Sequence, residues 1–134
     1  MKKVLVDSNI ILDIFTEDSQ WFDWSAEQLE LLARKHILAI NPIIYAEVSI
    51  RFTRIEDLEA SLPDSQFCRI PLPWEAAFLA GKVFMQYKKN GGAKSSAMPD
   101  FFIGAHASID GMLLLTRDVS RYKTYFPKLE LIAP

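Results

Sequence analysis

The strongest constraint on this chain is the alternation of short apolar runs with segments of helical periodicity. The runs are Val4-Leu5-Val6, Ile37-Leu38-Ala39-Ile40, Phe67-Cys68-Arg69-Ile70, Met112-Leu113-Leu114-Leu115 and Leu129-Glu130-Leu131-Ile132. They are too short for helices, and several have no polar position at all, as strands buried on both faces of a parallel sheet tend to read. Between them, Ala26, Leu29, Leu32 and Ala33 recur at helical spacing. So do Ala76, Leu79, Ala80, Val83, Phe84 and Tyr87, in a segment opened by Pro73. Further helices are predicted after Pro42, around residues 55–62, and from Pro99-Asp100 to Ser108, where Gly111 supplies a terminator. Trp21, Phe22 and Trp24 cluster ahead of a helix predicted to begin at Ser25. This alternation predicts an α/β domain with a mainly parallel sheet of about five strands and right-handed crossovers.

At 134 residues there is room for one ordinary core, so residues 1–134 are read as a single domain. Half the residues are apolar, which excludes intrinsic disorder. The net charge of -2 supplies no global field for nucleic acid or membrane, so any polyanion site must be local. The single Cys68 forbids an intrachain disulfide and a cysteine zinc cluster. Lys2 and Lys3 precede only three apolar residues before Asp7, which is no secretory signal, and no uncharged run is long enough to span a bilayer. A cytoplasmic protein with no membrane partner is the expectation.

In parallel sheets, function collects at the carboxyl ends of strands. Asp7 follows the first run directly, and Thr116-Arg117-Asp118 follows the fourth. Glu47 lies one to two helical turns past the second, among Ile43, Ile44, Tyr45, Ala46 and Val48. Asp100 opens a helix and should project from its positive end. Each acid has an ordinary structural explanation: Asp7 as the cap of a helix from Ile10, Asp100 as a first-turn residue, Asp118 as a turn acid and Glu47 as the partner of Arg51. Together they can meet at one sheet edge, where carboxylates raise one another's pKa unless a cation neutralises them. Oxygen donors without Cys or a His pair select a hard ion, Mg²⁺ or Mn²⁺, and such ions work on phosphate.

The blocks Asp7-Ser8-Asn9, Tyr45-Ala46-Glu47-Val48, Pro99-Asp100-Phe101-Phe102-Ile103-Gly104-Ala105-His106-Ala107 and Thr116-Arg117-Asp118 resemble, in order, the four acidic motifs of PIN-domain nucleases. The size and the third block resemble VapC-type toxins of type II toxin-antitoxin pairs. The resemblance implies a three-layer PIN-like fold, with Asp7, Glu47, Asp100 and Asp118 as metal ligands and Thr116 supporting them. It implies Mg²⁺-dependent hydrolysis of RNA, a cognate antitoxin and a homodimer. Asn9 takes a secondary role near substrate. The alternatives are an RNA-processing nuclease that is no toxin, or a silent module binding RNA or protein. A phosphoryl-transfer domain with Asp7 as nucleophile would want a second acid at position 9, where Asn9 stands.

Lys88, Lys89 and Lys94 form a basic, glycine-containing stretch upstream of Asp100 that could hold RNA phosphates, or be simply solvated. Arg117 is a further candidate for substrate, with Arg121 and Lys123 beside it. His36 and His106 lack ligand spacing, and His106 reads as a satisfied helical histidine.

Overall fold

The computed structural model describes residues 2–93 and 97–134. The elements run β1 (Lys3–Val6), α1 (Ser8–Phe15), α2 (Phe22–Lys35), β2 (Ile37–Ile40), α3 (Pro42–Ser49), α4 (Ile55–Ser61), β3 (Cys68–Arg69), α5 (Trp74–Lys89), α6 (Met98–Asp110), β4 (Leu113–Leu115), α7 (Val119–Tyr125) and β5 (Leu131–Ile132). All strand pairings are parallel, in the order β3-β2-β1-β4-β5. The chain walks outward from β1 to β3, crosses back beyond β1 to β4, and ends at β5. The direction of winding therefore reverses between β1 and β4, which opens a crevice at their carboxyl ends.

Right-handed crossovers put α1 to α4 on one face of this sheet and α5 to α7 on the other. Within each face α1 lies against α2 and α3, and α6 against α5 and α7, while α3 and α6 also meet each other. The central strands carry the core: Val4, Leu5, Val6, Ala39, Leu114 and Leu115 are all fully buried. Two-sided burial removes any need for polar alternation, which is why these runs read as continuous apolar sequence.

Several boundaries differ from the sequence expectation. The edge strands β3 and β5 keep only two residues of their predicted four, because an edge strand has a partner on one side alone. The aromatic cluster does not precede its helix: Trp21 is the residue before α2, and Phe22 and Trp24 lie inside it. Helix α1 begins at Ser8, not Ile10, since Asp7 caps it by accepting from the Ser8 amide. Helix α7 was not anticipated at all. Gly111 does end α6, in the left-handed conformation at φ 64°. Within α6, Gly104 permits the close approach of Phe126, whose ring would lie 2.5 Å from a Cβ at that position.

Candidate active site

Asp7 leaves the central strand at the crevice, and its backbone amide still bonds to Leu115 O of β4 at 2.9 Å. Only 2% of it is exposed. Both carboxylate oxygens are held. Oδ1 accepts from the Ser8 amide at 2.8 Å, while Oδ2 accepts from Thr116 Oγ1 at 2.8 Å, the Tyr122 hydroxyl at 3.1 Å and Asn9 Nδ2 at 3.3 Å. Burial pushes the Asp7 carboxyl up to about 7, assisted by the charges of Asp100 and Glu47 and opposed by the bonds from Thr116 and Tyr122.

The other acids arrive on separate elements. Asn41 caps α3 by accepting from the Ile44 amide at 2.9 Å, with Pro42 in the first turn, and this sets the helix that carries Glu47. Glu47 Oε1 accepts from Ser8 Oγ at 2.9 Å. Its carboxyl is raised above its usual range, first by burial and further by Asp100, against the pull of Ser8. Asp100 sits in the first turn of α6, and its Oδ2 accepts from Arg121 at 2.6 Å. Burial raises this carboxyl too, and the nearby Arg121 offsets only part of that rise. Asp118 precedes α7, and its amide donates to Thr116 Oγ1 at 3.0 Å.

Thr116 is thus a junction: it donates to Asp7, accepts from the Asp118 amide, and lies 3.3 Å from Asn9 Nδ2. The crevice gathers Asp7, Asn9, Glu47, Asp100, Thr116 and Asp118 into one electrostatically coupled group. Among the described residues, no three His, Cys, Asp or Glu side chains converge as a closed ion cage. The acids are instead held by Thr116, Ser8 and Arg121. The donor set nevertheless suits a hard cation, being all oxygen, with Asp7 buried, the other acids partly buried, and Arg121 the one arginine bonded to them among the described residues.

Arg117 lies beside the acids but is turned away from them. Its Nε and an outer nitrogen donate to Asp13 at 2.7 and 2.8 Å, and its guanidinium lies 5.1 Å from the Trp21 ring. Lys88 and Lys89 are exposed in the last turn of α5, with Lys88 5.6 Å from the Phe84 ring. The same helix end packs Tyr87 on Phe101, next to Asp100. Lys94 lies outside the described residues.

A model of the PIN domain matches residues 4–127, which takes in every acid of the crevice. The chain belongs to the PIN domain family. Chains in solved structures share its fold along nearly their whole length. VapBC2 from Rickettsia felis, bound to a DNA fragment from its promoter, aligns at TM-score 0.75 and 22% identity, covering 98% of each chain. VapBC-1 from nontypeable Haemophilus influenzae aligns at 0.72 and 20%, covering 98% of this chain and 97% of that one. A toxin-antitoxin complex from Klebsiella pneumoniae aligns at 0.70 and 22%, covering 96% and 95%. No curated protein matches the sequence significantly.

Three residues that shape this PIN crevice have no role in the sequence reading. Ser8 stands there only within the Asp7-Ser8-Asn9 block, although its position beside Asp7 puts it at the strand end. Tyr122 and Arg121 belong to the unanticipated α7, whose only signal was Tyr122, Tyr125 and Phe126 at helical spacing after Asp118.

Proposed function

We propose that this PIN domain is a divalent-metal-dependent endoribonuclease and the toxin of a type II toxin-antitoxin pair. The observation that carries this is the state of Asp7: a buried carboxyl at the end of the central strand, fixed by Thr116, Tyr122 and Asn9, and pushed toward neutrality by burial and by two other acids. A lone capping aspartate has no need of such company. Asp7, Glu47, Asp100 and Asp118 would hold Mg²⁺ or Mn²⁺, which supplies when bound an acidified water and positive charge for a phosphodiester under attack. Thr116 and Tyr122 keep Asp7 Oδ2 oriented, and Ser8 fixes the reach of Glu47. Lys88, Lys89 and Lys94 are read as contacts to the RNA strand, whereas Asn9, expected near substrate, has both ends of its amide engaged by Asp7, Thr116 and the Arg117 amide and steadies Asp7. Arg117 has its donors committed to Asp13 and is assigned to the frame.

The toxin role is supported by the company of the fold, since the solved structures it resembles are VapBC and toxin-antitoxin complexes. A cognate antitoxin, a homodimer and a cytoplasmic setting go with that role. No described helix is long and apolar enough to cross a membrane.

The test is cleavage of single-stranded RNA by the purified chain in Mg²⁺ or Mn²⁺ against chelator, with Asp100→Asn alongside. Metal-dependent cuts within the strand, lost by about a hundredfold or more in the variant, support the reading. Cleavage that persists in chelator, or an Asp100→Asn chain as active as the parent, overturns it.

A further inference from the structure

Two arginines flank the acids, and they are engaged in opposite ways. Arg117 is closed off: two of its nitrogens grip Asp13, whose side chain is 3% exposed and also accepts from Ser25 Oγ at 2.7 Å. Arg121, in α7, spends a single donor on Asp100 Oδ2 among the described residues, at 2.6 Å. Its guanidinium carbon lies 5.8 Å from the Tyr87 ring and 5.9 Å from the Phe101 ring, and its side chain is 23% exposed. Tyr87, Phe101 and Tyr125 pack edge to face, so the shelf beneath this cation is itself rigid. A guanidinium resting on aromatic faces keeps that attraction while its fork turns from one anion to another.

Charge favours such a turn. A cation entering among the acids competes with Arg121 for the Asp100 carboxylate, and Asp118 adds further negative charge beside that arginine. We propose that Arg121 is the resident counter-ion of the crevice: it holds Asp100 until a divalent cation takes that carboxylate, and its freed guanidinium then binds a phosphate of the RNA strand. The second half rests on the nuclease reading. The first half does not. The chemistry is the same in both positions, since the planar fork suits a carboxylate and a phosphate equally.

The experiment separates the two halves. Mn²⁺ affinity is measured by calorimetry on the intact chain, without RNA, for the parent, Arg121→Gln and Arg121→Lys. A competitor for Asp100 makes the parent the weaker binder, so Arg121→Gln should bind Mn²⁺ about tenfold more tightly, the scale of one charge-assisted hydrogen bond given up. In saturating Mn²⁺, the same variant should cleave RNA about a hundredfold more slowly, the scale of one lost donor to the reacting phosphate, with Arg121→Lys between the two. In the unaltered protein, the Arg121 side-chain NMR signal should move as Mg²⁺ is added while that of Arg117 stays. Equal or weaker Mn²⁺ binding by Arg121→Gln, an Arg121 signal that holds still as Mg²⁺ binds, or undiminished cleavage by the variant overturns the proposal. If no form of the chain cleaves RNA, the nuclease reading has failed, and the Mn²⁺ comparison still decides whether Arg121 contends for Asp100.

Discussion

Asn41 Nδ2 lies 3.0 Å from Nδ1 of His106, which ties the residue capping the Glu47 helix to the middle of the Asp100 helix. The cap fixes the chemistry: Asn41 Oδ1 is occupied by the Ile44 amide, so its amide nitrogen donates and Nδ1 must accept. The other ring nitrogen then donates to Asp110 at 2.9 Å. Burial holds His106 below its usual pKa, against the pull of Asp110, in keeping with a neutral ring.

Replacing His106 with Phe keeps a ring but strands the Asn41 amide, at a cost of about 1–3 kcal/mol. Cleavage should fall together with thermal stability, since α3 and α6 lose their mutual reference. Gln can reach one partner but not both, and should lie between. A His106→Phe chain with the parent's melting temperature would refute this account of the bond.

The acids should make the chain more stable in mild acid when chelator is present. Folded Asp7 keeps its proton to about pH 7, whereas the unfolded chain loses it near 3.8. Between those values the folded state binds more protons, so stability falls as pH rises, by up to about 1.4 kcal/mol per pH unit for one such group. Glu47 and Asp100, raised likewise, act in the same direction. His106 opposes them only below its ordinary value of 6.5, because its folded pKa is depressed. Melting temperatures in chelator should therefore drop from pH 5 to pH 8. Asp7→Asn, neutral throughout, should flatten the decline and be the more stable protein at pH 8.

Thr116→Val removes the strongest restraint on the Asp7 charge, since the hydroxyl bond holds that carboxyl down. Losing one bond to a charged group raises the pKa by about one unit. Protons then compete better for Asp7, so Mn²⁺ binding at pH 7 should weaken about fivefold and recover toward the parent at pH 9. A deficit of equal size at both values would mean that Thr116 acts by packing alone.

The basic residues should divide by what they hold. Arg117→Gln leaves the buried Asp13 charge unpaired and should cost about 3 kcal/mol or more in urea unfolding. Lys88→Gln with Lys89→Gln should leave stability within about 0.5 kcal/mol while reducing the salt dependence of RNA binding by up to about two counterions. An unchanged salt slope would return these lysines to simple solvation.

Much of this architecture was legible because two-sided burial imprints itself locally. Val4-Leu5-Val6 and Leu113-Leu114-Leu115 can be little else, and the strand ends they define placed Asp7, Thr116 and Asp118 at one edge. The edge strands were overread, since apolar residues such as Phe67 and Leu129 pack against the core without joining the sheet. Helix α7 escaped because seven residues with only three apolar positions nearby give too short a period to register. The two arginines were indistinguishable in sequence for a different reason. Their partners, Asp13 and Asp100, lie 104 and 21 positions away, and only the fold says which carboxylate meets which guanidinium.

The placement of β1 at the centre of the sheet has a consequence for the newborn chain. Asp7 is made early relative to its partners, since its bonds come from Thr116 and Tyr122, 109 and 115 positions further along. No fragment that stops at the end of α6 owns those hydroxyls, Asp118 or the guanidinium on Asp100. A chain translated only as far as α6 therefore has an incomplete crevice, and any activity the crevice has waits until α7 has been made and packed.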